Sequence, residues 1–363
     1  MSIQVSYKKQ FTLFLILSVV LLVVVEISIR AYDYTYDDLW CTNWYKESQV
    51  FGNDQIRKQI CVDLHSKLEK YDVIRLDSPN QHFPTLNINS EGFRGPEISK
   101  EKPNDVYRIF VIGGSTIFGM GATSDETTIP GFLQEFYDKD DLNFRVEVIN
   151  AGVIGAYSTL EAYYIKNTIL EFEPDLIIAY VGVNDAGYVS VKEEIDTDVI
   201  SSFDIRQILF YRTPFFFYEH LGLYPEVEDL YSNLDANFIS KRTDLWKNNW
   251  LDVCKFGKVN KFKTIVIVQP MLGTSDRVIS SHEQLLLSNQ NQKQKNVMTE
   301  GFNGFAKSLN ELDRECTTTG DFRNVFDGIN APIYYDNIHM SDFGNKIISQ
   351  NLFDLSLPIL FQE

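Results

Sequence analysis

Residues 107–116 read YRIFVIGGST, a short run of β-branched and aromatic side chains that stops at Gly113-Gly114 and delivers Ser115 at once. An apolar run of this length, closed by a turn signal, reads as a strand buried on both sides, the usual strand of a parallel sheet. The same pattern recurs at Arg145–Ile149, Asp175–Val181 and Lys263–Val268. Stretches with helical spacing lie between most of them, including Ile129–Tyr137 and Leu160–Phe172. Strands alternating with helices predict an α/β domain whose parallel sheet is covered on both faces. Further along, a fifth strand is expected at Asn324–Phe326, a long helix over 285–313, and a final helix over Asp342–Leu352 capped by Ser341.

Chemistry-bearing residues follow three of these strands. Gly113-Gly114-Ser115-Thr116 follows the first, Asn150-Ala151-Gly152-Val153-Ile154-Gly155 the second, and Gly182-Val183-Asn184-Asp185 the third. The carboxyl ends of parallel strands share one edge of the sheet, where ligands bind in open α/β folds. Ser115, Gly155 and Asn184 are therefore expected to converge. Near the other end of the chain stands Asp336-Asn337-Ile338-His339. His339 is one of five histidines, and the only one with a carboxylate three residues upstream in a turn-like setting. A serine, an imidazole with an orienting carboxylate, and amides that donate to a developing oxyanion are the parts needed for acyl transfer. Taken singly, each segment has an ordinary reading: a glycine turn, a loop glycine, a helix cap made by Asn184 with Asp185, a structural Asp–His pair. Their order and their common position at strand ends favour the chemical reading.

Rival motifs are absent. Gly113, Gly114, Gly119 and Gly121 crowd one turn, but the Gly-Lys-Ser/Thr of a phosphate loop is missing and the dinucleotide spacing is not met. The G-x-S-x-G elbow is missing too. No Cys/His cluster has metal spacing, and His282-Glu283 lacks the second histidine of a zinc-hydrolase helix. Neither a cofactor nor a metal is called for. His65, His82, His220 and His282 are assigned surface or packing roles.

With 363 residues and 44% hydrophobic content, the chain suits one large domain with an appendage. A net charge of -17 argues against nucleic acid as a partner. Residues 11–29, FTLFLILSVVLLVVVEISI, carry one charge, Glu26. At about 1.5 Å per residue this run approaches the ~30 Å of a bilayer core. Lys8 and Lys9 precede it and Asp33, Asp37 and Asp38 follow, which predicts a cytoplasmic tail over 1–10, a retained anchor and an exported remainder. A cleaved signal peptide is the competing reading, although Ile29-Arg30-Ala31 is a poor cleavage site. Cys41, Cys61, Cys254 and Cys316 all lie on the expected exported side, where disulfides are permitted. Proximity pairs Cys41 with Cys61 and Cys254 with Cys316; four buried thiols are the alternative.

Residues 30–104 read as a membrane-proximal extension with a helix near 53–71 and a looped or extended Asn87–Pro96. It is expected to pack on the catalytic domain without a chemical role. Residues 186–250 form a long insertion containing the aromatic stretch Phe210–Tyr218. That stretch reads as a mini-core under a helical cap, or as a surface for substrate or membrane.

At the four motif segments the chain resembles the SGNH hydrolase superfamily, also called GDSL-like esterases and lipases, across roughly residues 105–355, within an expected catalytic domain over 105–358. By that resemblance Ser115 is the nucleophile and one oxyanion donor through its amide. Gly155 and Asn184 are the other donors, and Asp336 and His339 complete the triad. The resemblance implies a flavodoxin-like three-layer α/β/α domain with a mainly parallel five-stranded sheet, no cofactor, and hydrolysis or transfer of acyl groups. One departure is Gly114, where the founding motif has aspartate. The resulting expectation is an esterase acting on an acylated surface carbohydrate or lipid. An O-acyltransferase with the same triad, or a non-catalytic glycan-binding protein on the same scaffold, are the alternatives. Protein partners and oligomeric state are not readable.

Overall fold

The computed structural model describes residues 6–68, 78–187, 213, 216 and 236–362. The chain divides into two compact units, Met1–Asn43 with Ser201–Leu230, and Trp44–Ile200 with Tyr231–Glu363. In the first unit helix α1 (Tyr7–Asn43) contains an 18-residue window of mean hydropathy 2.8 and is long and apolar enough to cross a membrane. Phe11, Phe14 and Leu21 stand exposed along it. Glu26 is buried, with one carboxylate oxygen paired to Arg30 at 2.8 Å. The other accepts hydrogen bonds from the Thr213 amide (2.9 Å) and hydroxyl (2.7 Å). A charge inside an apolar run persists where it is paired in this way. The acidic and aromatic stretch Tyr32–Trp40 belongs to the same helix.

In the second unit, α2 (Asp54–Cys61) is capped by Asn53 and continues as a π-helical turn over Val62–Lys67. Strand β1 (Gln81–His82) pairs with β2 (Asn87–Ile88) in a small antiparallel ribbon. The main sheet has five strands, β3 (Val106–Gly113), β4 (Arg145–Gly152), β5 (Leu176–Val181), β6 (Lys263–Val268) and β7 (Thr318–Asp321). All pair in parallel, in the order β4-β3-β5-β6-β7. The register sets Gly113 opposite both Gly152 and Tyr180, so β3, β4 and β5 end together.

The helices of this unit continue as α3 (Ser115–Phe118), α4 (Ile129–Lys139), α5 (Ser158–Asn167), α6 (Val183–Gly187), α7 (Ala236–Asn260), α8 (Ser281–Asn289), α9 (Gln292–Leu312) and α10 (Asp342–Leu360). Alternate strand residues serve opposite faces. Phe110, Ile112, Ala179 and Val266 join a core with Leu160 and Ile165 of α5, Trp246 and Trp250 of α7, and Phe302 and Phe305 of α9. Ile109, Val111, Ile178 and Ile265 join another with Leu133 and Tyr137 of α4 and Ile348 and Leu352 of α10. Each fully buried side chain of this size contributes roughly 1.5–3 kcal/mol. Burial on both faces explains the apolar runs Ile109–Ile112, Leu176–Val181 and Ile265–Val268, and the three-layer α/β/α expectation is met.

Four details differ from the sequence reading. The fifth strand is Thr318–Asp321, paired to Ile265–Val268; Asn324–Phe326 instead forms turns, with Val325 bonding back to Phe322 and Asp327 to Asn324. The helix expected over 285–313 is broken, because Asn291 turns its side chain onto the Lys293 and Gln294 amides and starts α9 afresh. Leu160–Phe172 is not one helix, since α5 stops at Asn167 and a 3-10 turn covers Ile169–Phe172. Ser341 stands at the N-cap position of α10 without a capping bond; Asp342 there accepts from the Thr123 hydroxyl at 2.6 Å. Most of Phe210–Tyr218, and His220, lie outside the described residues. The end of the 186–250 insertion does not stand apart: Trp246 and Trp250 are core residues. None of the four cysteines is a free thiol, and Cys254 of α7 is bonded to Cys316.

Candidate active site

Strand β3 runs directly into the turn that carries Ser115. A Cβ at position 113 would fall 2.5 Å from the Tyr180 carbonyl oxygen, and one at 114 would fall 2.5 Å from Asn184 Nδ2. Glycine at 113 is thus a packing requirement against backbone, whereas a side chain at 114 would have to push the Asn184 carboxamide aside. That crowding also accounts for the departure at Gly114, since an aspartate there would displace the Asn184 carboxamide. Ser115 opens α3, which ends after one turn because Gly119, at φ 94°, closes it in the left-handed region.

His339 lies against this turn. Its Nε2 is 2.6 Å from Ser115 Oγ, and its Nδ1 is 2.7 Å from Asp336 Oδ2. The other Asp336 oxygen accepts the backbone amides of Ile338 (2.8 Å) and His339 (2.6 Å). The three-residue spacing therefore folds the carboxylate onto both the backbone and the ring of the histidine. With Nδ1–H donating to the carboxylate, Nε2 is left to accept the serine proton. Burial alone would raise the Asp336 pKa, but the charge and hydrogen bonds of His339 and the Ile338 amide outweigh it. The carboxyl is held below its ordinary value and stays an anion.

The loop bearing this pair is held by residues the sequence reading passed over. Glu283, fully buried, pairs with Arg277 and accepts the amides of Ile333 and Tyr334, both at 3.1 Å. His282 Nε2 lies 3.0 Å from the Tyr335 carbonyl oxygen. The available signal was the capping-box spacing Ser280-x-x-Glu283, which the structure confirms at the start of α8.

Asn184 and the Gly152–Gly155 loop lie against the turn that carries Ser115. Gly155 has φ 79°, and the Gly152–Gly155 loop is tied to the end of β3 by a 2.9 Å bond from the Val153 amide to the Gly113 carbonyl. Asn184 Nδ2 spends one hydrogen on the Ala156 carbonyl oxygen at 2.5 Å, which leaves its second hydrogen for another acceptor. Among the described residues, the Ser115 and Gly155 amides donate to no backbone carbonyl. The Ser115 and Gly155 amides and the second Asn184 Nδ2 hydrogen are thus left for other acceptors.

Asp185 does more than cap a turn. Its carboxylate accepts the Ser158 amide (3.1 Å) and hydroxyl (2.6 Å), which ties α6 to the start of α5. Arg242 of α7 donates to the Asp185 carbonyl oxygen at 2.7 Å. Burial pushes the Asp185 pKa up to about 6 against the lowering bonds from Ser158, and burial with Asp185's charge raises that of buried Glu161. The remaining described histidines lie elsewhere: His65 packs edge-on to Trp44, and exposed His82 meets Asn87. Among the described residues no group of three or more His, Cys, Asp or Glu is arranged to hold a metal ion.

No family model matches this chain, and no curated protein does. Solved structures similar to it include the acetyl xylan esterase AlAXEase, at 13% identity over 68% of this chain and 98% of that one, with a TM-score of 0.41. Axe2, an acetylxylan esterase from Geobacillus stearothermophilus, is 12% identical over 71% of this chain and 95% of its own, with a TM-score of 0.40. TesA is 12% identical over 69% and 99%, with a TM-score of 0.41. Likeness at this level assigns no residue roles, which rest here on the geometry alone.

Proposed function

We propose that this protein is a membrane-anchored, extracytoplasmic ester hydrolase that removes acyl groups, acetyl foremost, from a surface carbohydrate or lipid. The observation that carries the reading is the unbroken hydrogen-bond chain from Ser115 Oγ through His339 to Asp336. Ser115 Oγ attacks the ester carbonyl while its proton passes to His339 Nε2; the imidazolium is stabilised by the Asp336 anion. The oxyanion that forms is met by the Ser115 and Gly155 amides and the free Asn184 Nδ2 hydrogen. His339 then returns the proton to the leaving alcohol, and water repeats the sequence on the acyl-enzyme. No cofactor takes part. The apolar α1 with Lys8 and Lys9 before it supports anchoring, and the Cys254–Cys316 bond supports an oxidising compartment. The acetyl and carbohydrate preference rests on that location and on the motif resemblance.

Release of p-nitrophenol from a short-chain ester tests the reading. Ser115→Ala should lower kcat at least about 10⁴-fold. Equal rates from the two proteins would overturn it.

A further inference from the structure

The Tyr335 ring lies nearly parallel to the His339 imidazole, with centroids 5.7 Å apart and planes 14° from each other. Tyr335 is itself fully buried and cannot shift freely. On one side is Gly121, where a Cβ would fall 2.2 Å from the Tyr335 ring. Around it stand Trp44, Tyr45 and Phe51, at centroid distances of 5.3, 5.0 and 5.2 Å. Trp44 also packs on Tyr45 (5.1 Å) and on Phe51 (5.5 Å), so the three form one wall. That wall is fastened from behind: buried Arg57 of α2 donates to the Trp44 carbonyl oxygen.

The Asp336 carboxylate lies near the Tyr45 phenol: burial together with that negative charge pushes the phenol pKa well above its ordinary value. Tyr45 takes φ 42°, a conformation uncommon for a residue with a Cβ. Such backbone persists only where its surroundings hold it. Here it sets the Tyr45 ring against the ring that backs the imidazole.

We propose that Tyr45, supported by Trp44 and Phe51, is a positioning residue for the Asp336–His339 pair, and that the segment following α1 is therefore a working part of the active site. This replaces the expectation that the 30–104 extension packs without a chemical role. The physical reason is the narrow tolerance of proton transfer: the imidazole must serve Ser115 Oγ and then the leaving group, and misplacement of about 1 Å can cost 10²-fold. Three donors already fix Asp336 from within its own loop. By this proposal the Tyr45 phenol, from a segment remote in sequence, fixes that loop relative to the rest of the unit.

The inference rests on the triad reading, and the test separates the two. Full-length protein in detergent micelles is compared as wild type, Ser115→Ala, Tyr45→Phe and Tyr45→Ala, on p-nitrophenyl acetate and by the low-field NMR signal of the His339 Nδ1–H. Tyr45→Phe keeps the ring and removes only the O–H. It should lower kcat about tenfold with KM within about twofold and an unchanged melting temperature, and should shift the Nδ1–H signal. Tyr45→Ala, which also opens the wall, should cost about 10²-fold in kcat. If it unfolds, Tyr45→Phe carries the test alone. A Tyr45→Phe protein with wild-type kcat and an unmoved Nδ1–H signal overturns the inference. If wild type and Ser115→Ala hydrolyse ester equally slowly, the triad reading fails instead, and the Nδ1–H signal still reports whether Tyr45 holds the pair.

Discussion

Asn184 can lie over the Ser115 turn because position 114 carries no side chain. Asn184→Ala should remove one oxyanion donor and lower kcat by about 10²–10³-fold with little change in KM. An Asn184→Ala enzyme with unchanged kcat would remove the carboxamide from the mechanism. Gly114→Ala should move only that carboxamide, so steady-state assays should show kcat reduced about tenfold in a protein that melts normally. These residues were legible in the sequence because each stands at a fixed offset from a strand end or within a three-residue turn. Ser115 follows Gly113-Gly114, and Asp336 precedes His339 by three. Tyr45, Glu283 and Asp185 were not legible in their roles. Their partners, Tyr335, Tyr334 and Ser158, lie on other segments, and nothing in a linear sequence marks a contact across such a gap.

Among elements, the α5–α6 junction holds two acids out of water. Folding favours the protonated forms of Asp185 and Glu161, since burial raises both above their ordinary values. Their contribution to stability is therefore complete at low pH and is lost as pH rises from the ordinary carboxylate range through about 6. Glu161→Gln keeps the shape and removes one of the acids. Its melting temperature should exceed that of wild type at pH 8, by the equivalent of about 1–2 kcal/mol, and the gap should close toward pH 4. Parallel melting profiles for the two proteins across that range would contradict a raised pair. The same scale shows where element reading works. Ile109–Ile112 of β3, all of β5 and Ile265–Val268 of β6 are buried on both faces, so these stretches are apolar without interruption and declare themselves. Strand β7, Thr-Thr-Gly-Asp, is only partly buried and gives no such run. The break between α8 and α9 was hidden because Asn291 acts through a cap, whereas the surrounding Gln and Asn residues are compatible with a solvent-facing helix.

At the scale of the whole molecule, the chain joins an apolar helix fit to cross a membrane to an α/β unit closed by a disulfide. Cys254 and Cys316 are 62 residues apart in sequence. Closing a loop of that length is worth about 4 kcal/mol in the chain-entropy picture, so Cys254→Ser should lower denaturant stability by up to that amount. Export predicts in addition that neither thiol reacts with an alkylating reagent in intact cells until a reductant is added; ready alkylation would place the unit in a reducing compartment. The helix and the sheet were legible from hydropathy and strand periodicity, whereas the residues joining distant segments emerged only with the fold. Everything proposed about activity depends on one atom, Ser115 Oγ, being activated by His339. Labelling the folded full-length protein with a fluorophosphonate, followed by peptide mapping, tests this most directly. The expected result is a single adduct on Ser115 that forms at least about 10³-fold more slowly in His339→Ala; a folded wild-type protein whose Ser115 remains unlabelled would contradict it.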